Sequence, residues 1–290
     1  MLKLRGAGLN IALDMLHREF FLERFEGFAC DFAGKPDFLC VSRTVDAIPV
    51  PEGRQTEAGP RKRVIETPEG TMFLGLNRRG ETVFGWYLSR DASEMRLYFL
   101  EGYTYRRLTR TALEYKYSCS GFSDRAALAG RPVLHGAAIS YRGRGIVFSA
   151  RPGVGKSTQA SLWQSLWPED TARINEDRPA VSFRGDDAFL EGIPWSGTEP
   201  VNLNVTVPFG ALIMLRRGPE PGMRRLAPRE VLRPIYEELC VSHGNRQAAE
   251  KIYDLLGQLL ERVPAYMLDC TMGPETPLLA MERLTKDGIL

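Results

Sequence analysis

The stretch ARPGVGKST (150–158) constrains this chain more than any other part of it, because it demands one particular local structure. It matches G-x-x-x-x-G-K-[ST] everywhere except the first position, where Ala150 stands in place of glycine. A loop of this kind joins the end of a β-strand to the start of a helix and curls its amides round a phosphate. Gly153 and Gly155 supply the unusual dihedrals that the curl needs. Lys156 then brings a positive charge to the β and γ oxygens of a triphosphate, and Ser157 offers a hydroxyl to Mg²⁺. A helix starting at Lys156 adds the dipole of its N-terminus. The flanks agree with this reading. GIVFSA (145–150) reads as an apolar strand, and TQASLWQSLW (158–167) carries apolar residues at helical spacing until Pro168 stops it. A chance glycine turn would not bring both flanks and the GKST ending together. The expected nucleotide-binding set is therefore Gly153, Val154, Gly155, Lys156, Ser157 and Thr158, with ATP and Mg²⁺ as its ligands.

Phosphoryl transfer needs one carboxylate beside the metal and another group to take the proton of the acceptor hydroxyl. TARINEDRPAV (171–181) follows the loop and places Asn175, Glu176 and Asp177 at the end of a short apolar run. An arbitrary Glu-Asp pair is more often a solvated turn, but this one comes soon after a phosphate loop. His135 falls in VLHGAAIS (133–140), read as a strand that an RGRG turn connects to the loop strand. On the residues alone, an isolated histidine in an apolar strand is ordinarily a core residue. His17 and His243 have no motif around them and read as structural or surface residues.

Composition removes several classes. The chain has 290 residues, enough for two domains, and is 43% hydrophobic and 26% charged, which is globular rather than disordered. A net charge of +2 gives no global field for nucleic acid or an anionic membrane. The basic run Arg61, Lys62, Arg63 lies among prolines and glycines and reads as a solvated loop. The five cysteines are scattered, with no C-x-x-C pair, which argues against a zinc site or disulfide framework and suits a reducing compartment. The N-terminus does not read as a signal peptide, and no apolar run approaches a membrane span. The expectation is a cytoplasmic protein.

The chain changes character near residue 125. Residues 1–125 hold short strand-like runs, FLCV from Phe38, TMFLGL from Thr71, TVFGWYL from Thr82 and RLYFL from Arg96, and predict a β-rich meander with one or two helices. Residues 49–60 are rich in proline, glycine and charge and predict an exposed loop. Residues 126–290 begin with AALAG closing a short helix. They continue through a hairpin from PAVSF and AFLEGI (179–193) to a buried strand at FGALIML (209–215). Helices follow over PREVLRPIYEELC, entered or kinked at Pro234, and over QAAEKIYDLLGQLLERV, before a core strand at AYMLDC (265–270).

Together HGAAISYRGRGIVFSARPGVGKSTQASLW (135–163), INEDRPAV, GIPWSG (192–197) and NVTVPFGALIML (204–215) resemble the kinase domain of HPr kinase/phosphorylase and its relatives, a branch of the phosphoenolpyruvate carboxykinase-like P-loop proteins. The resemblance covers the C-terminal part of the chain, and its first piece is the specific one. It implies an α/β fold of mixed α+β character: a carboxykinase-like P-loop kinase core at 126–290, with a β-rich accessory or substrate-recognition domain at 1–125. In the family a His-Gly precedes the loop strand, so His135 gains a role near the phosphates. An Asp-Asp pair follows the loop, so Glu176 stands where the first Asp would be and Asp177 where the second would be. Glu176 keeps the carboxylate but reaches about one methylene further; it, or else His135, is expected to accept the acceptor's proton, and Asp177 is the expected metal-side acid. GIPWSG resembles the segment lining the acceptor side, often followed by a lysine where this chain has Thr198, which speaks against the reverse, phosphorylase, direction.

The resulting expectation is an ATP-dependent kinase of a serine in a peptide or protein, or of a small hydroxyl compound, with Glu176, Asp177, His135 and Lys156 catalytic and Ser157 and Asp177 on the metal. Such relatives often form homo-oligomers; neither nucleic acid nor membrane is expected as a partner. A nucleotide-switched peptide-binding module without phosphoryl transfer is the alternative. A phosphoenolpyruvate carboxykinase-like enzyme is a third reading, disfavoured by the short chain.

Overall fold

The computed structural model describes residues 1–197, 199–239 and 245–290. The expectations for Thr198, Cys240 and His243 lie outside the described residues. The chain divides into two units, Met1–Ala129 with Val241–Ala249, and Gly130–Cys240 with Glu250–Leu290. It is a mixed α/β protein built on two mixed sheets. Among the described residues no helix is long and apolar enough to cross a membrane.

The first unit holds β1 (Leu2–Gly6), β2 (Leu9–Asp14), α1 (Arg18–Phe25), β3 (Phe38–Val45), β4 (Arg54–Gly59), β5 (Lys62–Glu66), β6 (Gly70–Leu76), β7 (Thr82–Ser89), β8 (Glu94–Leu100) and α2 (Arg110–Leu128). Strands β4 to β8 form an antiparallel meander, while β3 lies between β2 and β8 and runs parallel to both. Residues 49–60 were expected as a loop, but β4 forms there. It is a strand because it pairs with β5, and its residues are exposed because it is the sheet's edge. The short helix expected around AALAG is the last turn of the 19-residue α2. Thr109 caps its start, accepting a hydrogen bond from the Ala112 amide at 3.1 Å. α2 packs on β3 and β8 through Gly121, where an added Cβ would lie 2.6 Å from Met95 Sδ and 3.2 Å from the Phe38 ring.

The second unit holds β9 (Ala137–Tyr141), β10 (Arg144–Ser149), α3 (Lys156–Leu166), β11 (Thr171–Asn175), β12 (Ala180–Arg184), β13 (Asp187–Glu191), β14 (Thr206–Arg217), β15 (Gly222–Leu226), α4 (Pro228–Glu237), the part of α5 (Arg246–Arg262) from Glu250 onward, β16 (Ala265–Cys270) and α6 (Glu275–Lys286). The strand order is β11-β9-β10-β14-β13-β12, with β16 joined to β14 and β15 to β16. At the centre β10, β14 and β16 run parallel, so their carboxyl ends share one side of the sheet. β9 and β10 form a hairpin, turned by Arg142 (φ 48°) and Gly143 (φ 80°), two consecutive left-handed residues that suit the strands' twist. α4 is entered at Pro228, where a missing amide costs nothing, and Pro234 lies inside it. The core gathers Ile139, Ile146, Phe148, Ile213, Tyr266 and Leu268 around Trp163 of α3, which is fully buried. Trp163 meets Tyr141 edge to face at 5.2 Å and Trp167 at 5.1 Å, fixing α3 on the β9–β10 hairpin.

Candidate functional site

β10 ends at Ser149, and the chain turns through 150–155 into α3. Gly153 has φ 82° and Gly155 has φ 130°, the latter as the residue capping the helix. Neither conformation is open to an ordinary L-residue at low cost, so both glycines answer to the dihedral requirement. Ala150, the departure from the motif, is buried in the core cluster and is not among the positive-φ residues. Its methyl group replaces glycine at a position where no left-handed backbone is needed. Lys156 turns back over the loop, its Nζ donating to the Ala150 carbonyl at 2.8 Å. Ser157 is exposed on the first turn of α3. From the end of β14, Arg217 donates to the Gly153 carbonyl at 2.5 Å, tying the loop to the neighbouring parallel strand.

His135 lies in a bend just before β9, not on the strand as expected. The glycine after it explains the bend. A Cβ on Gly136 would come within 2.7 Å of the Phe148 carbonyl oxygen and of Val147 Cγ1, so the chain can pass this close to β10 only without a side chain. Ser149 Oγ, the last residue of β10, donates to the His135 carbonyl at 3.0 Å. The Gly136 amide donates to the Asp177 carbonyl at 3.0 Å. Those bonds bring the imidazole beside the Asp177 carboxylate, with Nε2 to Oδ1 at 3.6 Å. Burial pushes the His135 pKa below its ordinary value; Lys156 and Arg178 push the same way, and Asp177 and Glu238 oppose. His135 is therefore within the field of the loop lysine as well as of Asp177.

The acid pair leaves the end of β11 in a turn built on Asn175, a buried side chain. Asn175 Oδ1 accepts from the amides of Asp177 (3.0 Å) and Arg178 (2.6 Å). Its Nδ2 donates to the carbonyls of Ile193 (3.2 Å) and Trp195 (2.9 Å), fastening GIPWSG to the turn. An added Cβ on Gly197 would lie 3.3 Å from both Asp177 Cβ and Glu176 Cγ, so this segment runs directly over the acids.

The two carboxylates are engaged differently. Asp177 faces His135 and the Arg178 guanidinium, the latter at 3.2 Å. Glu176 is buried and hydrogen-bonded to Arg173, whose same nitrogen also reaches Glu199 at 3.2 Å. The loop arginine Arg151 approaches Glu238 of the α4 end at 3.9 Å. Sequence reasoning missed Arg173, Arg178, Arg217 and Glu238. Arg173 and Arg178 flank the acids in RINEDR, a visible signal, whereas Arg217 and Glu238 come from strand and helix ends that only the fold brings near. Among the described residues no group of three His, Cys, Asp or Glu side chains is placed to hold a metal by itself.

No family model and no curated protein matches the chain. Among solved structures, the Hpr(Ser) kinase/phosphatase from Coxiella burnetii is similar over 54% of this chain and 95% of its own, at 13% sequence identity and a TM-score of 0.31.

Proposed function

We propose that this chain is an ATP-dependent phosphotransferase that moves the γ-phosphoryl group to a hydroxyl, either of a serine in a peptide or protein or of a small hydroxyl compound. The observation that carries the reading is the strand-loop-helix junction of the second unit, with Gly153 and Gly155 in left-handed conformations and Lys156 beside them. Amides on such a curl, the N-terminus of α3 and one flexible cation suit a triphosphate tail.

Mg²⁺ fits the donor set. The Ser157 hydroxyl is exposed and Asp177 supplies a carboxylate, hard oxygen donors of the kind Mg²⁺ takes together with phosphates and water. When bound, the ion supplies charge neutralisation at the transferring group. Ser157 and Asp177 would hold it. Lys156, now on the Ala150 carbonyl, would exchange that neutral partner for phosphate oxygens. His135, kept largely uncharged at neutral pH by burial and by its cationic neighbours, has a ring nitrogen able to take the acceptor's proton, and Asp177 would stabilise the imidazolium formed. Glu176 remains a candidate base. In its pair with Arg173 it also orders the turn that carries Asp177.

Incubation with γ-labelled ATP, Mg²⁺ and hydroxyl acceptors tests this. Transfer of label to an acceptor, abolished in Lys156→Ala, is the expected result. Loss in His135→Gln with survival in Glu176→Gln assigns the base to His135, and the converse assigns it to Glu176. Tight ATP binding with no label leaving ATP would replace the kinase reading by the nucleotide-switched module.

A further inference from the structure

A cleft of about 350 Å³, a size that suits a small molecule, lies in the second unit at the end of the sheet away from the phosphate loop. Arg144 opens β10, Pro208 and Phe209 lie early in β14, and Pro264 precedes β16, so the cleft sits at the amino ends of the three parallel strands. The phosphate loop leaves the carboxyl end of β10. Six extended residues, spanning about 20 Å, separate the two, so a ligand held here is not the acceptor of the transfer proposed above. Charges of both signs line the cleft. Arg144 and Arg262 supply the cations, and Asp186 and Asp187, at the β12–β13 turn, supply the anions. The side chains of Arg144, Asp186 and Asp187 form no hydrogen bond or ion pair among the described residues. Arg262 is held in place, lying over the Phe183 ring at 5.4 Å and donating to the Gln258 carbonyl at 2.9 Å. Its side chain is only 23% exposed, and its carboxylate partner, the exposed Glu261, stands 3.9 Å away. A guanidinium fixed in this way keeps its planar fork and much of its charge for a ligand.

We propose that this cleft binds a free α-amino acid with an apolar side chain, its carboxylate on Arg144 and Arg262 and its ammonium on Asp186 and Asp187. A single surface charge is merely solvated, but two cations and two anions left apart round one concavity favour a ligand that carries both signs. A purely anionic ligand, such as a sugar phosphate, would face the two aspartates, and a purely cationic one would face the two arginines. A carboxylate matches the arginine fork with two parallel charge-assisted bonds. Between the charged groups, Phe189, Pro208, Pro264 and Ile289 give an aliphatic or aromatic side chain its apolar contact. None of these residues belongs to the phosphate loop, so the inference stands apart from the kinase reading.

The experiment is calorimetric titration of the full chain with L-leucine and L-phenylalanine, and with the amide and the N-acetyl derivative of each, which lack the carboxylate and the ammonium charge respectively. At least one amino acid should bind with a Kd below about 1 mM. Blocking either of its charges should weaken binding by about tenfold or more. Arg144→Gln should weaken the free amino acid and leave its amide unaffected, while Asp186→Asn with Asp187→Asn should weaken it and leave its N-acetyl form unaffected. All three positions are exposed, so the variants should melt with the wild type. Mg·ATP should not compete with the amino acid. Absence of binding by both amino acids at about 10 mM, equal affinity for the blocked forms, indifference to the substitutions, or competition by Mg·ATP each overturns the proposal.

Discussion

Gly155→Ala separates conformational cost from steric cost at the phosphate loop. Gly155 has φ 130° and ψ 23° as the residue capping α3, and an added Cβ would meet nothing within 4 Å among the described residues. The substitution therefore introduces no clash, and its whole effect is the price of holding an L-residue in a region that only glycine occupies freely. That cost is about 1–3 kcal/mol. If the backbone keeps its course, the loss appears as stability, roughly 2–4 °C in unfolding temperature per kcal/mol for a body of this size. If it relaxes, the amides at the start of α3 turn away from the phosphates, and each bond to a charged group given up costs about 1.5–3 kcal/mol, or on the order of ten- to hundredfold in Kd. Scanning calorimetry of the free protein and titration with Mg·ATP read the two outcomes separately. Gly153→Asn is the control, since φ 82° lies nearer the left-handed region that asparagine visits, and it should be milder in both assays. A Gly155→Ala protein that melts with the wild type and binds Mg·ATP equally well refutes the argument.

Gly136→Ala should cost both stability and turnover, because its methyl group would meet a backbone oxygen at 2.7 Å. Displacement of His135 by about 1 Å predicts a fall in kcat of roughly a hundredfold, and an unchanged kcat would remove His135 from the reacting centre. Arg173→Ala leaves the buried Glu176 carboxylate without the guanidinium, which predicts a loss of about 3 kcal/mol. Glu176→Gln in the same chain should restore much of it in urea unfolding, and additive losses would show that the pair is not coupled. Acid unfolding is the fourth test. Hydrogen bonds from Tyr266 and Arg283 hold the Asp287 carboxyl below its ordinary value of 3.8, so the unfolded chain binds the proton first as pH falls. Its stabilisation is present above that value and is lost as pH falls through the lower folded pKa, so Asp287→Asn should flatten this limb. A limb of unchanged slope would contradict the assignment.

The elements legible in the sequence were those whose burial follows a simple period or fills a continuous apolar run. FLCV, TVFGWYL, FGALIML and AYMLDC fall within β3, β7, β14 and β16, and the run after GKST is α3. α2 escaped because polar side chains interrupt the apolar face it buries with Leu113, Phe122 and Ala126. Glu114, Ser118, Ser123 and Asp124 are buried there, and Glu114 accepts a hydrogen bond from the Leu16 amide at 2.8 Å. β4 escaped for the opposite reason, since an edge strand held by backbone pairing with β5 needs no apolar side chains. At the site, the strand-loop-helix junction was legible because its glycines mark where the backbone takes positive φ, at Gly153 and Gly155. The Arg173 partner of Glu176, three residues away in RINEDR, left a signal that went unread, whereas the bond from Arg217 to the loop and the approach of Glu238 to Arg151 depend on where a strand and a helix end in three dimensions.

The turn carrying the acids has a further consequence. A carboxamide has two N–H donors and an oxygen able to accept twice, and Asn175 uses all four in opposite directions, two toward its own turn and two toward the segment 193–195. Aspartate, its nearest relative in shape, could keep the first two bonds and would point negative charge at two carbonyls in place of the others. Exchange of this one carboxamide for a carboxylate, as in Asn175→Asp, would therefore unfasten the segment 193–195 while leaving every acid and base of the proposed chemistry in the sequence, a loss that inspection of those residues alone would never reveal.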